Sequence, residues 1–146
     1  MKFIFVTVGK QNDSGVDEMI TDYTKRISRY IQTEWRILPN SNMEKEGEQI
    51  LKTISDGEMI LLDNRGKEFT TIELADFLEK KMISGSKNIF FVIGGAYGVS
   101  EEVFKKANFV WSLSKLTFPH QVVRLLLSES IYRAMSVIKK EPYHHE

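Results

Sequence analysis

The run Met59-Ile60-Leu61-Leu62, inside the segment Glu58 to Asp63, places four apolar residues in a row with no polar interruption. A strand with one wet face alternates apolar and polar side chains, whereas one covered on both faces does not. Glu58 to Asp63 is therefore expected to be a strand covered on both sides. Lys2 to Val8, rich in Phe, Ile and Val and stopped by Gly9, reads as a second buried strand, and Asn88 to Ile93 as another. A chain that buries both faces of such strands needs helices above and below one sheet.

The intervening segments supply those helices. Met19, Ile20, Tyr23, Ile27 and Tyr30 share one helical face from about Val16 to Tyr30, with Asp13 or Ser14 as candidate N-cap. Thr33 to Leu38 alternates, with Trp35 and Ile37 among polar neighbours, and stops at Pro39-Asn40, as a half-buried strand at a sheet edge does. Ser41-Asn42-Met43-Glu44 has capping-box spacing and opens a helix to about Ile54; Thr70-Thr71-Ile72-Glu73 has it again and opens a helix that ends before Gly85. Asn64-Arg65-Gly66-Lys67 reads as a turn. A short helix from Ser100 to Lys106, a strand from Phe109 to Leu113 and a long helix from near Pro119 to about Lys140 complete the order. Five strands alternating with five helices predict an α/β fold with a parallel sheet and helices on both faces, in one domain spanning 1–146.

Composition narrows the chemistry. The 146 residues contain no cysteine and three histidines without H-E-x-x-H spacing, which leaves no thiolate and little for a metal. No apolar run is long enough for a membrane span, and Met1 to Val8 lacks the pattern of a signal peptide, so a cytoplasmic protein is expected. Net charge is zero, but Lys105 to Glu146 carries seven basic against three acidic residues, a local +4. That field suits a phosphate-rich partner, and equally a solvated helix face.

Ligands of open parallel sheets bind beyond the carboxyl ends of the strands. Three such ends carry polar or glycine residues here: Leu62-Asp63-Asn64, Gly94-Gly95 and Ser112-Leu113-Ser114. Paired glycines let a ligand approach the backbone, or simply make a tight turn. Their spacing matches neither the dinucleotide fingerprint nor the P-loop. Thr117-Phe118-Pro119-His120 enters the last helix, where backbone N–H groups and His120 face either an anionic ligand or solvent. Glu129 stands four residues before Arg133, as in an i,i+4 ion pair. The apolar set of this helix exceeds what one sheet face needs, as a homodimer interface would require.

Taken together, Ile93-Gly94-Gly95, the loop Ser112 to His120, Arg124, Glu129, Tyr132-Arg133-Ala134 and Pro142-Tyr143-His144 resemble the ribosomal RNA large-subunit methyltransferase H family of the SPOUT class. Lys2 to Gly9, Lys45-Glu46-Gly47-Glu48 and Leu61-Leu62-Asp63 extend the similarity over the whole chain. The resemblance implies an α/β sheet with a C-terminal trefoil knot and an obligate homodimer whose partner chain completes each site. It implies S-adenosylmethionine-dependent N3-methylation of a pseudouridine in the 23S rRNA bridge stem-loop, on the assembled ribosome, with no metal and no membrane.

Carried over by position, the methyl-donor pocket falls on Leu62, Gly94, Gly95 and the loop Leu113, Ser114, Lys115, Leu116, Thr117, Phe118 and Pro119. Substrate handling falls on His120, Arg124 and Lys115, and catalysis on Arg133, Tyr143 and His144. Arg133 would balance the imide anion, and His144 would accept the proton. Arg124 and Lys115 would hold RNA phosphates. Ala96-Tyr97 vary in the family and receive no role. A non-catalytic ribosome-associated module with the same fold, and a flavodoxin-like small-molecule enzyme, are the competing readings.

Overall fold

A computed structural model describes residues 1–9, 12–85 and 87–145. The order is β1 (Lys2–Val8), α1 (Ser14–Ser28), β2 (Gln32–Leu38), α2 (Met43–Thr53), β3 (Glu58–Lys67), α3 (Thr71–Ile83), β4 (Asn88–Ile93), α4 (Glu101–Lys106), β5 (Phe109–Trp111) and α5 (His120–Ile138). The five strands form one parallel sheet in the order β2-β1-β4-β3-β5. The half-buried Thr33 to Leu38 segment is indeed an edge strand.

Alternation along the central strands explains why both faces are covered. Phe3, Phe5, Ile60, Ile89, Phe91 and Ile93 point to one side, against Ile27 of α1, Leu74 and Leu78 of α3, and Leu127, Ile131 and Met135 of α5. Ile4, Val6, Val8, Met59, Leu61, Phe90 and Val92 point to the other, against Ile50 of α2 and Val103 of α4. Burying a side chain of this kind contributes about 1.5–3 kcal/mol, so these uninterrupted apolar runs are the main force that sets the layers.

Three local expectations change. The cap of α2 is Asn42, whose side chain accepts from the Lys45 N–H, while the Ser41 N–H donates 2.8 Å to Glu46 Oε2. Asn64 to Lys67 is not a free turn: β3 runs on to Lys67, which pairs with Trp111 after a break in register beyond Leu62. Gly66 is there because a side chain would meet the Val110 carbonyl of β5. β5 itself is shorter than expected, since Ser112 turns away after donating 2.9 Å to the Lys67 carbonyl. Thr70 closes the capping box of α3 with Glu73 as expected.

After β5 the chain crosses the carboxyl ends of the sheet, and α5 returns along the face already carrying α1 and α3, packing on both. Asp13 and Gln121 exchange two hydrogen bonds, 2.8 and 3.1 Å, which sets the starts of α1 and α5 side by side. The two helices therefore run parallel, with both N-termini at the end of the sheet where the strands' carboxyl ends lie. No helix among the described residues is long and apolar enough to cross a membrane.

Candidate active site

Three strand ends and one loop enclose a cavity of about 340 Å³. Leu62, Asp63 and Asn64 close it from β3, Ala96 and Gly98 from the turn after β4, and Leu113, Ser114, Leu116, Thr117 and Phe118 from the loop after β5. A recess of about 150 Å³ shares Leu62, Asp63 and Phe118 with it and reaches Ile93, Gly94, Gly95 and His120. Sites for small ligands measure about 300–1,000 Å³, so the joined space is sufficient for a nucleoside-sized molecule. Lys115 is exposed on the same loop, and Pro119 faces a neighbouring hollow with Gly9, Asn40, His120 and Arg124. A further cavity of about 410 Å³ lies between α1 and β2, around Ile20, Thr24, Trp35 and Ile37. It reaches Thr7 at the end of β1 and Arg124, but none of the residues at the ends of β3, β4 and β5, and we give it no part in the chemistry.

The loop after β5 is shaped by its own serines. Ser112 Oγ donates 2.9 Å to the Ser114 carbonyl, and Ser114 Oγ accepts from the Leu116 N–H at 3.0 Å. These bonds turn the backbone along the cavity wall and leave Leu116 70% exposed at its mouth. On the opposite wall, Gly98 N–H donates 3.0 Å to the Gly95 carbonyl and Gly98 adopts φ +87°, a conformation that favours glycine. A side chain at Gly94 would meet Val99 at 2.6 Å, and one at Gly95 would run into the Glu46 carboxylate. Both glycines border the cavity, but it is the tight turn and its neighbours that require them.

Asp63 was visible in sequence only as part of a strand end. Its carboxylate takes Arg65 Nε and Nη2 in a fork at 2.9 Å each, and Arg65 lies 4.0 Å over the Phe104 ring. The side-chain bonds from Arg65 hold this carboxyl below the usual carboxylate range.

Arg124 departs from the phosphate contact expected of it. It is 4% exposed, and its guanidinium donates to Thr7 Oγ1 (2.9 Å), Asn12 Oδ1 (2.9 Å) and the carbonyls of Val8 (3.0 Å) and Gly9 (3.1 Å). Burial among these neutral acceptors pulls its pKa below the ordinary arginine value. In this position it ties the first turns of α5 to the end of β1.

The residues expected for catalysis form a second cluster. Arg133 Nε and Nη2 both lie 2.7 Å from Glu129 Oε1, its guanidinium sits 4.6 Å over the Tyr143 ring, and Nη1 is 3.4 Å from His144 Nδ1. A guanidinium can only donate, so Nδ1 is the acceptor there and a neutral imidazole carries its proton on Nε2. Tyr143 packs edge-on against Tyr132 at 4.6 Å and lies 3.3 Å from Tyr23 in hydroxyl separation. Burial, and then the Tyr23 contact, push the Tyr143 phenol well above its ordinary pKa. The tail is thus docked, not frayed. Glu129 and Tyr23 belong to this cluster, although in sequence they read as one half of an ion pair and as part of a helix stripe.

The two clusters lie at opposite ends of α5. His120 borders the cavity, and Arg133 follows thirteen residues later, about 20 Å along the helix at 1.5 Å per residue. One chain therefore brings the residues expected for the donor pocket together and the tail residues together, but not the two groups to each other.

A parallel sheet with a looped cavity beyond β3, β4 and β5, closed by a returning C-terminal helix, defines a class. Residues 1–144 match the family model described as "Predicted SPOUT methyltransferase". The chain is 43% identical to the ribosomal RNA large subunit methyltransferase H of Parabacteroides distasonis, with both proteins covered in full. It is 42% identical to the protein of that name from Flavobacterium johnsoniae, again in full, and 40% identical to that of Christiangramia forsetii, with 99% of each covered. The chain belongs to the SPOUT methyltransferases, in the ribosomal RNA large subunit methyltransferase H family.

Proposed function

We propose that this protein is an S-adenosylmethionine-dependent ribosomal RNA methyltransferase that methylates N3 of a pseudouridine in the 23S rRNA bridge stem-loop on the assembled ribosome. It works as a homodimer in the cytoplasm, with its C-terminal segment threaded as a trefoil knot. The full-length relatives named as ribosomal RNA methyltransferases support the substrate class. The return of α5 between α1 and α3, after the chain has crossed the strand ends, is compatible with the knot.

The separation of the two clusters is the observation that carries the dimer. Methyl transfer needs nucleophile, methyl group and proton acceptor in one place, and about 20 Å of helix forbids that within one chain. A two-fold dimer that sets α5 against the partner's α5 in the opposite sense brings one chain's tail to the other chain's donor loop.

The chain's own groups then divide the work. The Leu113 to Phe118 loop and Leu62 hold the donor, beside the Gly94-Gly95 turn. S-adenosylmethionine supplies an electrophilic methyl group to the imide nitrogen. Pseudouridine N3 gives up its proton, and Arg133 balances the charge that develops on the imide. His144 accepts the proton directly or through water, at Nδ1, once the substrate replaces the Arg133 contact. Tyr143, kept neutral by burial and backed by Tyr132, holds both side chains in place. Lys115, exposed beside the cavity, meets phosphate, whereas Arg124 ties the first turns of α5 to the end of β1.

The test is a thermal-unfolding titration with S-adenosylmethionine beside NAD, FMN and ATP, followed by methyl transfer to ribosomes lacking the mark. A ligand at about 100 times its dissociation constant adds roughly 2.7 kcal/mol, a shift of several degrees for a domain of this size. Stabilisation by S-adenosylmethionine alone and label in 23S rRNA are expected. No shift at millimolar donor contradicts the reading.

A further inference from the structure

The mechanism leaves one buried acid without a task. Glu46, in the first turn of α2, is 8% exposed, and its Oε1 occupies the space that a side chain on Gly95 would need. Its Oε2 accepts the Ser41 N–H at 2.8 Å. No lysine, arginine or histidine among the described residues forms an ion pair with it. The next residue, Gly47, leaves room for Ser100, whose hydroxyl caps α4. Adjacent residues of α2 therefore hold both ends of the 94–100 turn that walls the donor recess.

We propose that Glu46 is a recognition residue of the donor site that acts from behind the Gly94-Gly95 turn, its negative charge favouring a cationic methyl donor over the neutral product. This rests on the S-adenosylmethionine reading above. The donor carries a positive sulfonium and the product, S-adenosylhomocysteine, a neutral thioether. Glu46 lies against Gly95 and Gly95 lines the recess, so the carboxylate acts on the recess across one layer of backbone, a range over which its field distinguishes a cation from a neutral group. Glu46 touches neither the ligand nor the reacting atoms. It sets the preference through space and holds the turn through contact.

The experiment is calorimetric titration of the full-length protein and of Glu46→Gln with three ligands: S-adenosylmethionine, S-adenosylhomocysteine, and sinefungin, which carries an amine in place of the sulfonium. Glu46→Gln is expected to weaken the two cationic ligands about tenfold and the neutral one less than twofold. Equal losses on all three, or no loss, overturn the proposal. Gly95→Ala is the second variant, because its methyl group displaces the carboxylate without removing it. It is expected to lower the ratio of S-adenosylmethionine to S-adenosylhomocysteine affinity, and to change that ratio no further when Glu46→Gln is already present. An unchanged ratio in Gly95→Ala overturns the proposal even if Glu46→Gln does not fold. If the unaltered protein binds none of the three ligands, it is the donor reading that fails.

Discussion

Replacing Arg124 separates two accounts of the most buried cation at the site. The guanidinium donates to two side chains and two backbone carbonyls near the end of β1, and it is 4% exposed. In Arg124→Met the aliphatic stem is kept, but the Val8 and Gly9 carbonyls lose their charged donor. Each buried acceptor left without a partner costs about 1–3 kcal/mol. The variant also escapes the desolvation cost of a buried cation, and water can enter from the adjoining cavities, so the two carbonyls set the scale. A net loss of about 3 kcal/mol is expected, roughly 10 °C in the unfolding midpoint. Urea unfolding at fixed protein concentration measures it, since the stability of the proposed dimer would depend on concentration. Arg124→Lys recovers less than half, because one ammonium cannot span Thr7, Asn12 and both carbonyls. A variant with the original urea midpoint but a flatter salt dependence of ribosome binding would show that Arg124 meets phosphate after all.

Other consequences are local. Lys115→Ala leaves stability within about 0.5 kcal/mol and lowers the salt slope of ribosome binding by about one, read from binding at several salt concentrations. His144→Ala keeps the affinity for S-adenosylmethionine and loses turnover; full turnover with unchanged binding refutes its role as proton acceptor. Thr70→Ala removes the capping box of α3 and costs about 1 kcal/mol, with donor affinity unchanged in the same titration. Asp63→Asn has a defined pH signature. The folded pKa of Asp63 is lowered, so its contribution is present above the unfolded value, about 3.9, and is lost as pH falls through the folded value. The stability gap to the variant is thus constant near neutrality and closes only in acid; a gap that widens in acid contradicts the Arg65 fork.

Sequence and structure agree best where burial is complete. β1 and β4 run from Lys2 to Val8 and from Asn88 to Ile93 as the apolar runs mark them, because side chains covered on both faces leave no alternative register. Agreement fails where a distant segment decides. Asn64-Arg65-Gly66-Lys67 has the composition of a turn, but β5 offers Lys67 a partner, and the Asp63 fork takes up the slack. The cap of α2 moves to Asn42 because Glu46, four residues on, claims the Ser41 amide. At the site, the strand-end rule located Leu62, Gly94 and the loop from Leu113. The placement of Arg133, Tyr143 and His144 far from that loop was not legible, since spacing along a helix becomes a distance only once the donor loop is known to sit at its start. Arg124 reads in sequence as a phosphate contact because the backbone carbonyls it bonds lie more than a hundred positions earlier in the chain.

The central claim is that each site takes its donor loop from one chain and its tail from another, and subunit mixing tests it most directly. Gly95→Trp has no room against Glu46, so it displaces the turn that walls the donor recess and leaves the tail intact; Arg133→Ala spoils the tail and leaves the recess intact. Each is expected to be inactive alone. Unfolded together and refolded as an equal mixture, they should regain about a quarter of the original methyl transfer, since half of the dimers are mixed and each mixed dimer restores one of two sites. Methyl transfer that stays at the level of the separate variants, in a mixture shown to contain mixed dimers, would mean that one chain builds the whole site and would contradict the account.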